Sequence, residues 1–241
     1  MGYYTETFKV NYLDVDPSGK LTPKGFIKYL QDIANHHSED LGYGYTNITK
    51  TNLAWVLLNW KVKIFKNVTV ADSLFIKTWP RSFSRTISYR DFKIYDSANN
   101  LICIATSKWA LTNYTTRTLE RIPEEMANAY GIVEESVFDD FTYEKIKEPE
   151  NSVLSYEYTI QRRDIDTNHH VNNLCYLDFA YETLPEDVYN NLNVSNIEVL
   201  YKKEIKYKDT IKCFYTYVDN KHIITIKNND LSIIHSIISI Y

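Results

Sequence analysis

Apolar and polar positions along the chain change period in the same order twice. The opening FKVNYL stretch alternates, with Phe8, Val10 and Tyr12 on one side, and reads as a short strand. A helix pattern follows. Thr22 is a natural N-cap, Pro23 fits the first helical position, and Phe26, Ile27, Leu30, Ile33, Ala34 and Leu41 recur at helical spacing until Gly42 stops them. Stretches rich in Trp, Val, Ile, Phe and Tyr then predict strands over about 54–67, 70–80, 84–98 and 99–112.

The second half repeats this plan. Asn172 or Asn173 caps a shorter helix with Leu174, Leu177, Ala180, Tyr181 and Leu184 as its buried stripe and Pro185 as its end. Strands are predicted over about 195–208, 209–219, 220–229 and 231–241. The two helix entries also match as text. DVDPSGKLTPKGFIKYLQD (14–32) lies over DIDTNHHVNNLCYLDFAYE (164–182) at an offset of 150, so Asp14 meets Asp164, Asp16 meets Asp166, and Phe26 meets Tyr176. A helix wrapped by a curved antiparallel sheet buries such a set economically, which makes the chain α+β and built of two copies. The expected division is 1–123, an acidic connector over 124–150 with nine acidic residues against two Lys, and 151–241.

Composition narrows the function. Hydrophobic residues at 44% and charged residues at 24% describe a globular protein, and a formal charge of -4 gives no basis for nucleic-acid binding. No run of about 18 apolar residues predicts a membrane span, and the MGYYTETFKV start lacks a charged-then-apolar leader. Three cysteines, Cys103, Cys175 and Cys213, leave an odd count without metal-type spacing, so reduced thiols in a cytoplasmic protein are expected. A homodimer is left open.

The densest group of reactive side chains is DIDTNHHVNN. Asp166, Asn168 and His170 stand at i, i+2 and i+4; an extended segment would turn all three to one side, just ahead of a helix N-terminus that favours a developing negative charge. A carboxylate, an amide and an imidazole so arranged suit acyl transfer to water, where a base activates the nucleophile and a donor holds the oxyanion. The plain alternative is a polar loop capping a helix. His169 should point the opposite way, as a structural or exposed residue.

Here the chain resembles the acyl-acyl carrier protein thioesterase family of plants and bacteria. DIDTNHHVNNLCYLDFAYE is similar to the family's D-x-N-x-H-V-N-N stretch and the helix after it, and LYKKEIKYKD to its E-Y-R-R-E-C segment. WVLLNWKVKI, Thr78–Trp79, Arg90 with Phe92, and TSKWAL extend the likeness through the first half. The resemblance implies a double hot dog fold, with Asp166, Asn168, His170 and Glu204 as the catalytic residues and the first half supplying much of the acyl pocket. It implies a hydrolase of fatty acyl groups carried on the phosphopantetheine arm of acyl carrier protein, in fatty acid biosynthesis. Plant members carry Cys after the glutamate, where this chain has Ile205, so a Cys–His mechanism has no residue to use there. Ser18 and Lys20 replace Asn168 and His170 in the first copy, which is therefore expected to be inert.

Other readings carry less. Asp164, Asp166, His169 and His170 lack a recognised metal-ligand spacing, and no cofactor motif is present. Asp14, Asp16, Ser18 and Gly19 mimic a calcium loop, but its twelfth position is Gly25. No G-x-S-x-G elbow or P-loop occurs. Trp55, Trp60, Trp79 and Trp109 default to core packing, and Glu204 beside Lys202 and Lys203 reads, on its own, as a solvated strand edge. An acyl-coenzyme A thioesterase is the runner-up. An acidic carrier would want a basic rim, for which Lys202, Lys203, Arg162 and Arg163 are candidates. A non-enzymatic acyl-binding protein is a third possibility.

Overall fold

The computed structural model describes residues 2–139 and 146–241. It divides into two units, Met1–Thr142 and Tyr143–Tyr241. The first contains β1 (Tyr4–Lys9), α1 (Pro23–Asp40), α2 (Ile48–Thr51), β2 (Leu53–Ile64), β3 (Ser73–Ser84), β4 (Ile87–Tyr95), β5 (Leu101–Asn113) and α3 (Glu124–Tyr130). Its strands lie in the order β1-β3-β4-β5-β2, each pair antiparallel. The second contains β6 (Val153–Thr159), α4 (Cys175–Thr183), α5 (Glu186–Asn191), β7 (Asn196–Tyr201), β8 (Thr210–Val218), β9 (Lys221–Asn228) and β10 (Ile234–Ile240). Its order, β6-β8-β9-β10-β7, is the same topology, again antiparallel throughout.

In each unit the helix lies on the sheet, as a hot dog fold requires. The Thr22 side chain caps α1 by accepting the Gly25 N–H, and Pro23 occupies the first turn. Phe26, Ile27, Leu30 and Ile33 are at most 1% exposed, against Leu74, Ile76, Phe92 and Ile94 of the strands. Each such side chain contributes about 1.5–3 kcal/mol on burial. In the second unit Leu177 and Ala180 of α4 meet a core that includes Ile211, Ile224, Ile226 and Ile238.

Three expectations need correction. The helix expected just after Asn172 or Asn173 begins only at Cys175 and has no side-chain cap; Asn172 Oδ1 instead accepts the Leu174 N–H (2.9 Å) in a separate turn ahead of it. The strand expected over 195–208 stops at Tyr201, so Glu204 lies in the loop between β7 and β8. The acidic stretch 124–150 is not all connector. Its first part forms α3, which begins with Glu124 and Glu125 at the favourable end of the helix dipole and buries Met126 and Tyr130. The phenol of Tyr130 donates to Ser38 (2.8 Å) and accepts from Trp55 Nε1 (3.1 Å). Residues 140–145 of that stretch lie outside the described residues.

The first unit also buries a cation. Arg90 Nη1 donates to Thr78 Oγ1 (3.3 Å) and to His37 Nδ1 (3.1 Å). Because His37 is the acceptor it must be neutral there; burial and then the Arg90 charge push its imidazole down to about 3. Trp60 and Trp79 are core residues as expected, at 1% and 0% exposure.

Candidate active site

The candidate site is built on one tight turn in the second unit. Residues 166–170 do not form the extended segment expected from their spacing. They make a hairpin turn closed by the Ile165–Val171 bridge, in which Asp166 N–H donates to His170 C=O (2.9 Å) and His169 N–H to Asp166 C=O (3.1 Å). An i, i+2, i+4 alternation therefore does not aim the three side chains together. Asp166 Oδ1 accepts the Asn168 N–H (2.8 Å), so this carboxylate is turned into its own loop. His169 is exposed at φ 64°, a left-handed conformation costly for a residue with a Cβ. The Asn168 side chain is half-buried, and among the described residues it makes no hydrogen bond.

What the turn does achieve is to deliver His170 to Glu204. His170 Nε2 lies 3.2 Å from Glu204 Oε2. The contact is held by backbone: Val171 N–H donates to Ile205 C=O (2.9 Å), and Asn172 N–H to Asp164 C=O (2.8 Å). A carboxylate only accepts, so Nε2 carries the proton and Nδ1 of a neutral ring keeps its lone pair. The His170 side chain is 20% exposed and that of Glu204 43%, so the pair is open to solvent and substrate. Glu204 also opens onto a shallow cleft of about 430 Å³ lined by Lys203, Lys206, Asp209 and His235.

The same turn recurs bond for bond in the first unit. Asp16 N–H donates to Lys20 C=O (2.8 Å), Gly19 N–H to Asp16 C=O (2.9 Å), Leu21 N–H to Val68 C=O (2.8 Å) and Thr22 N–H to Asp14 C=O (3.0 Å). The loop that carries Glu204 is duplicated too. Ala71 N–H donates to Val10 C=O as Lys208 N–H does to Ile160 C=O, with φ 70° at Ala71 and 71° at Lys208. These bonds set Val68 over Ile205, and hence Asn67 over Glu204, an equivalence that sequence comparison missed because the intervening lengths differ. The first unit thus has Ser18, Lys20 and Asn67 where the second has Asn168, His170 and Glu204.

No cysteine is placed for nucleophilic work. Cys103 and Cys213 are buried, which pushes both thiols up, Cys213 to about 12. Cys175 Sγ instead faces the Asp164 carbonyl at 3.8 Å.

Comparison with known proteins agrees with this layout. The family profile described as acyl-ACP thioesterase N-terminal domain matches residues 2–130, and that of the C-terminal domain matches residues 146–239. The chain belongs to the acyl-ACP thioesterase family. Among family relatives, oleoyl-acyl carrier protein thioesterase 2 of Arabidopsis thaliana is 28% identical over 88% of this chain and 62% of its own length. The dodecanoyl-[acyl-carrier-protein] hydrolase of Umbellularia californica is 24% identical over 83% of this chain and 56% of its own. The chain thus spans about three fifths of the length of the curated relatives it matches. In structure, a Bacteroides thetaiotaomicron acyl-ACP thioesterase superposes with TM-score 0.84 at 23% identity, covering 99% of this chain and 96% of its own. The Umbellularia californica 12:0-ACP thioesterase gives 0.85 at 21%, with the same coverage. The likeness establishes the double hot dog fold. Among the described residues no helix of this family member is long and apolar enough to cross a membrane.

Proposed function

We propose that the chain hydrolyses fatty acyl thioesters carried by acyl carrier protein, releasing the free fatty acid and the carrier thiol. The 3.2 Å pair of His170 and Glu204 carries this reading. Glu204 orients the imidazole by accepting from Nε2; the free Nδ1 of His170 takes a proton from water as the oxygen attacks the thioester carbonyl. Collapse of the tetrahedral intermediate expels the thiolate, which receives that proton from the imidazolium. Asn168, whose amide is otherwise unused, is the oxyanion donor, a contribution worth about 10²–10³ in rate. Asp166 shapes the turn that presents both residues, and its charge adds to the field around His170. The first unit is an inert copy, since Lys20 and Asn67 supply neither an imidazole nor a carboxylate at the positions that match His170 and Glu204.

A carrier protein is favoured over coenzyme A by the charge around Glu204. Lys202, Lys203, Lys206 and Lys208 are all exposed within four residues of it, Lys206 Nζ lying 4.0 Å from Glu204 Oε1, whereas the matching loop of the first unit holds one lysine, Lys66, paired with Asp96 (2.9 Å). A cationic lip of this size suits the acidic face of a protein carrier. The relatives' names specify oleoyl and dodecanoyl groups on acyl carrier protein. The three cysteines, none in a disulfide, support a reducing compartment such as the cytoplasm.

The test is thiol release from a matched panel of acyl-carrier and acyl-coenzyme A thioesters. Higher kcat/KM on carrier thioesters, falling with added salt, is the expected result. Equal or better turnover of coenzyme A thioesters would replace the carrier reading, and no thiol release from any thioester would remove the hydrolase reading.

A further inference from the structure

The two residues before Glu204 are held from a single point. The His235 carbonyl accepts the N–H of Lys202 (2.8 Å) and of Lys203 (3.2 Å), while its ring Nδ1 lies 3.0 Å from the Lys203 carbonyl oxygen. A carbonyl only accepts, so Nδ1 bears the ring proton. Burial lowers the pKa of this imidazole, keeping it neutral. His235 is 4% exposed, and its other nitrogen, Nε2, is buried without a hydrogen-bond partner among the described residues. A buried unpaired nitrogen is a standing cost to stability.

The first unit shows that the fold does not need this cost. Strand β10 bulges at His235, since Ile234 pairs with Lys227 but Ser236 with Ile226. Strand β5 bulges at the matching Ile102, between Leu101 opposite Tyr95 and Cys103 opposite Ile94. The Ile102 carbonyl accepts the Phe65 N–H (2.7 Å) just as that of His235 accepts the Lys202 N–H. The bulge and its backbone bond therefore form equally well around a fully buried aliphatic side chain. Only the unit that holds the His170–Glu204 pair puts an imidazole there.

We propose that His235 is a positioning residue for that pair: its ring N–H clamps the Lys203 peptide and so fixes the direction in which Glu204 leaves the backbone toward His170. This rests on the hydrolase reading for its consequence in catalysis, but not for its geometry. Glu204 stands in an exposed loop beyond the end of β7, tied on its far side by the Val171 N–H to Ile205 C=O bond (2.9 Å) and on its near side only through Lys202 and Lys203. A clamp on the preceding peptide fixes that near side, and misplacement of a reacting group by about 1 Å costs on the order of 100-fold.

His235→Ile copies the inert unit, and His235→Asn returns a donor near the position of Nδ1. On the acyl-carrier substrate, His235→Ile should lower kcat about 10–100-fold with KM changed less than about 3-fold, while His235→Asn should regain most of the loss. In a Glu204→Gln background, His235→Ile should cost almost nothing more, because the group it positions is gone. Near-normal kcat in His235→Ile, an equal loss in both variants, or additivity with Glu204→Gln would each overturn the proposal. If His235→Ile fails to fold, His235→Gln, whose amide sits where Nε2 was, takes its place. A readout independent of turnover comes from the NMR signals of the His170 ring. These should move in Glu204→Gln and already lie displaced the same way in His235→Ile; ring signals unchanged by His235→Ile would refute the clamp even if the wild-type chain released no thiol.

Discussion

His170 Nε2 meets Glu204 Oε2 at 3.2 Å across 34 residues of chain, and the adjoining Val171 N–H to Ile205 C=O bond pins the two segments together. The pair is solvent-accessible, so its own contribution to stability is small, at about 0–1 kcal/mol. Loss of either partner should therefore separate activity from folding. Glu204→Gln and His170→Ala are expected to lower thiol release by about 10²–10⁴, with a melting temperature within a few degrees of wild type. Near-full activity in Glu204→Gln would return Glu204 to a solvated loop residue.

Asp166 and Asp16 provide a matched comparison. Each caps its turn, Asp166 by accepting the Asn168 N–H and Asp16 by accepting the N–H of Ser18 (2.8 Å) and of Lys20 (3.0 Å). Asn keeps an acceptor oxygen, so Asp16→Asn and Asp166→Asn should both retain the fold. Only Asp166→Asn should depress turnover strongly, since only its turn carries an imidazole. Equal activity in the two variants would assign Asp166 to turn-making alone.

The inert reading of the first unit predicts that Lys20→Ala and Ser18→Ala change thiol release by no more than a few fold. Lys20 and Asn67 stand where His170 and Glu204 stand, and neither is suited to replace them as a base pair. Abolished hydrolysis in a folded Lys20→Ala protein would mean that a second site contributes.

Cysteine chemistry is expected to be irrelevant to turnover. Burial pushes the thiols of Cys103 and Cys213 up, and the Cys175 thiol faces the Asp164 carbonyl. Treating the folded protein with iodoacetamide near neutral pH should leave thiol release intact, as should Cys175→Ser. Inactivation that tracks alkylation of one cysteine would contradict this.

His37 predicts an acid sensitivity of the first unit. Its ring is held down to about 3 in the folded protein, against 6.5 ordinarily. Between those values the unfolded chain binds a proton that the folded chain refuses. Stability from this group is therefore complete above pH 6.5 and is lost as pH falls toward 3, by up to about 1.4 kcal/mol per pH unit. His37→Asn offers Arg90 an acceptor oxygen without a titrating ring. It should be less stable near neutrality, having lost the stack on Tyr4 (4.6 Å between centroids), yet its melting temperature should fall less steeply over that acid range. An unchanged slope would assign the acid sensitivity to other groups.

The sequence by itself determined the elements and their duplication. Thr22, Pro23 and the Phe26–Ile33 stripe specify α1 because capping and helical periodicity are local, and the 150-residue offset between Asp16 and Asp166 is readable because both turns use the same length of chain. It also marked Asp166, Asn168 and His170 as neighbours, and resemblance added Glu204. Only tertiary structure decided which of them meet, namely His170 and Glu204. Alternation assumes a regular strand, and the Ile165–Val171 hairpin breaks that assumption by turning Asp166 back on its own backbone. The match of Asn67 to Glu204, and of Ile102 to His235, was hidden because connections of different length shift the offset to 137 and then 133. Hydrogen bonds between distant segments, which leave no trace in local periodicity, restore both. The packing of α3 was hidden for the same reason: its acidic face looks like linker until Met126 and Tyr130 find the core.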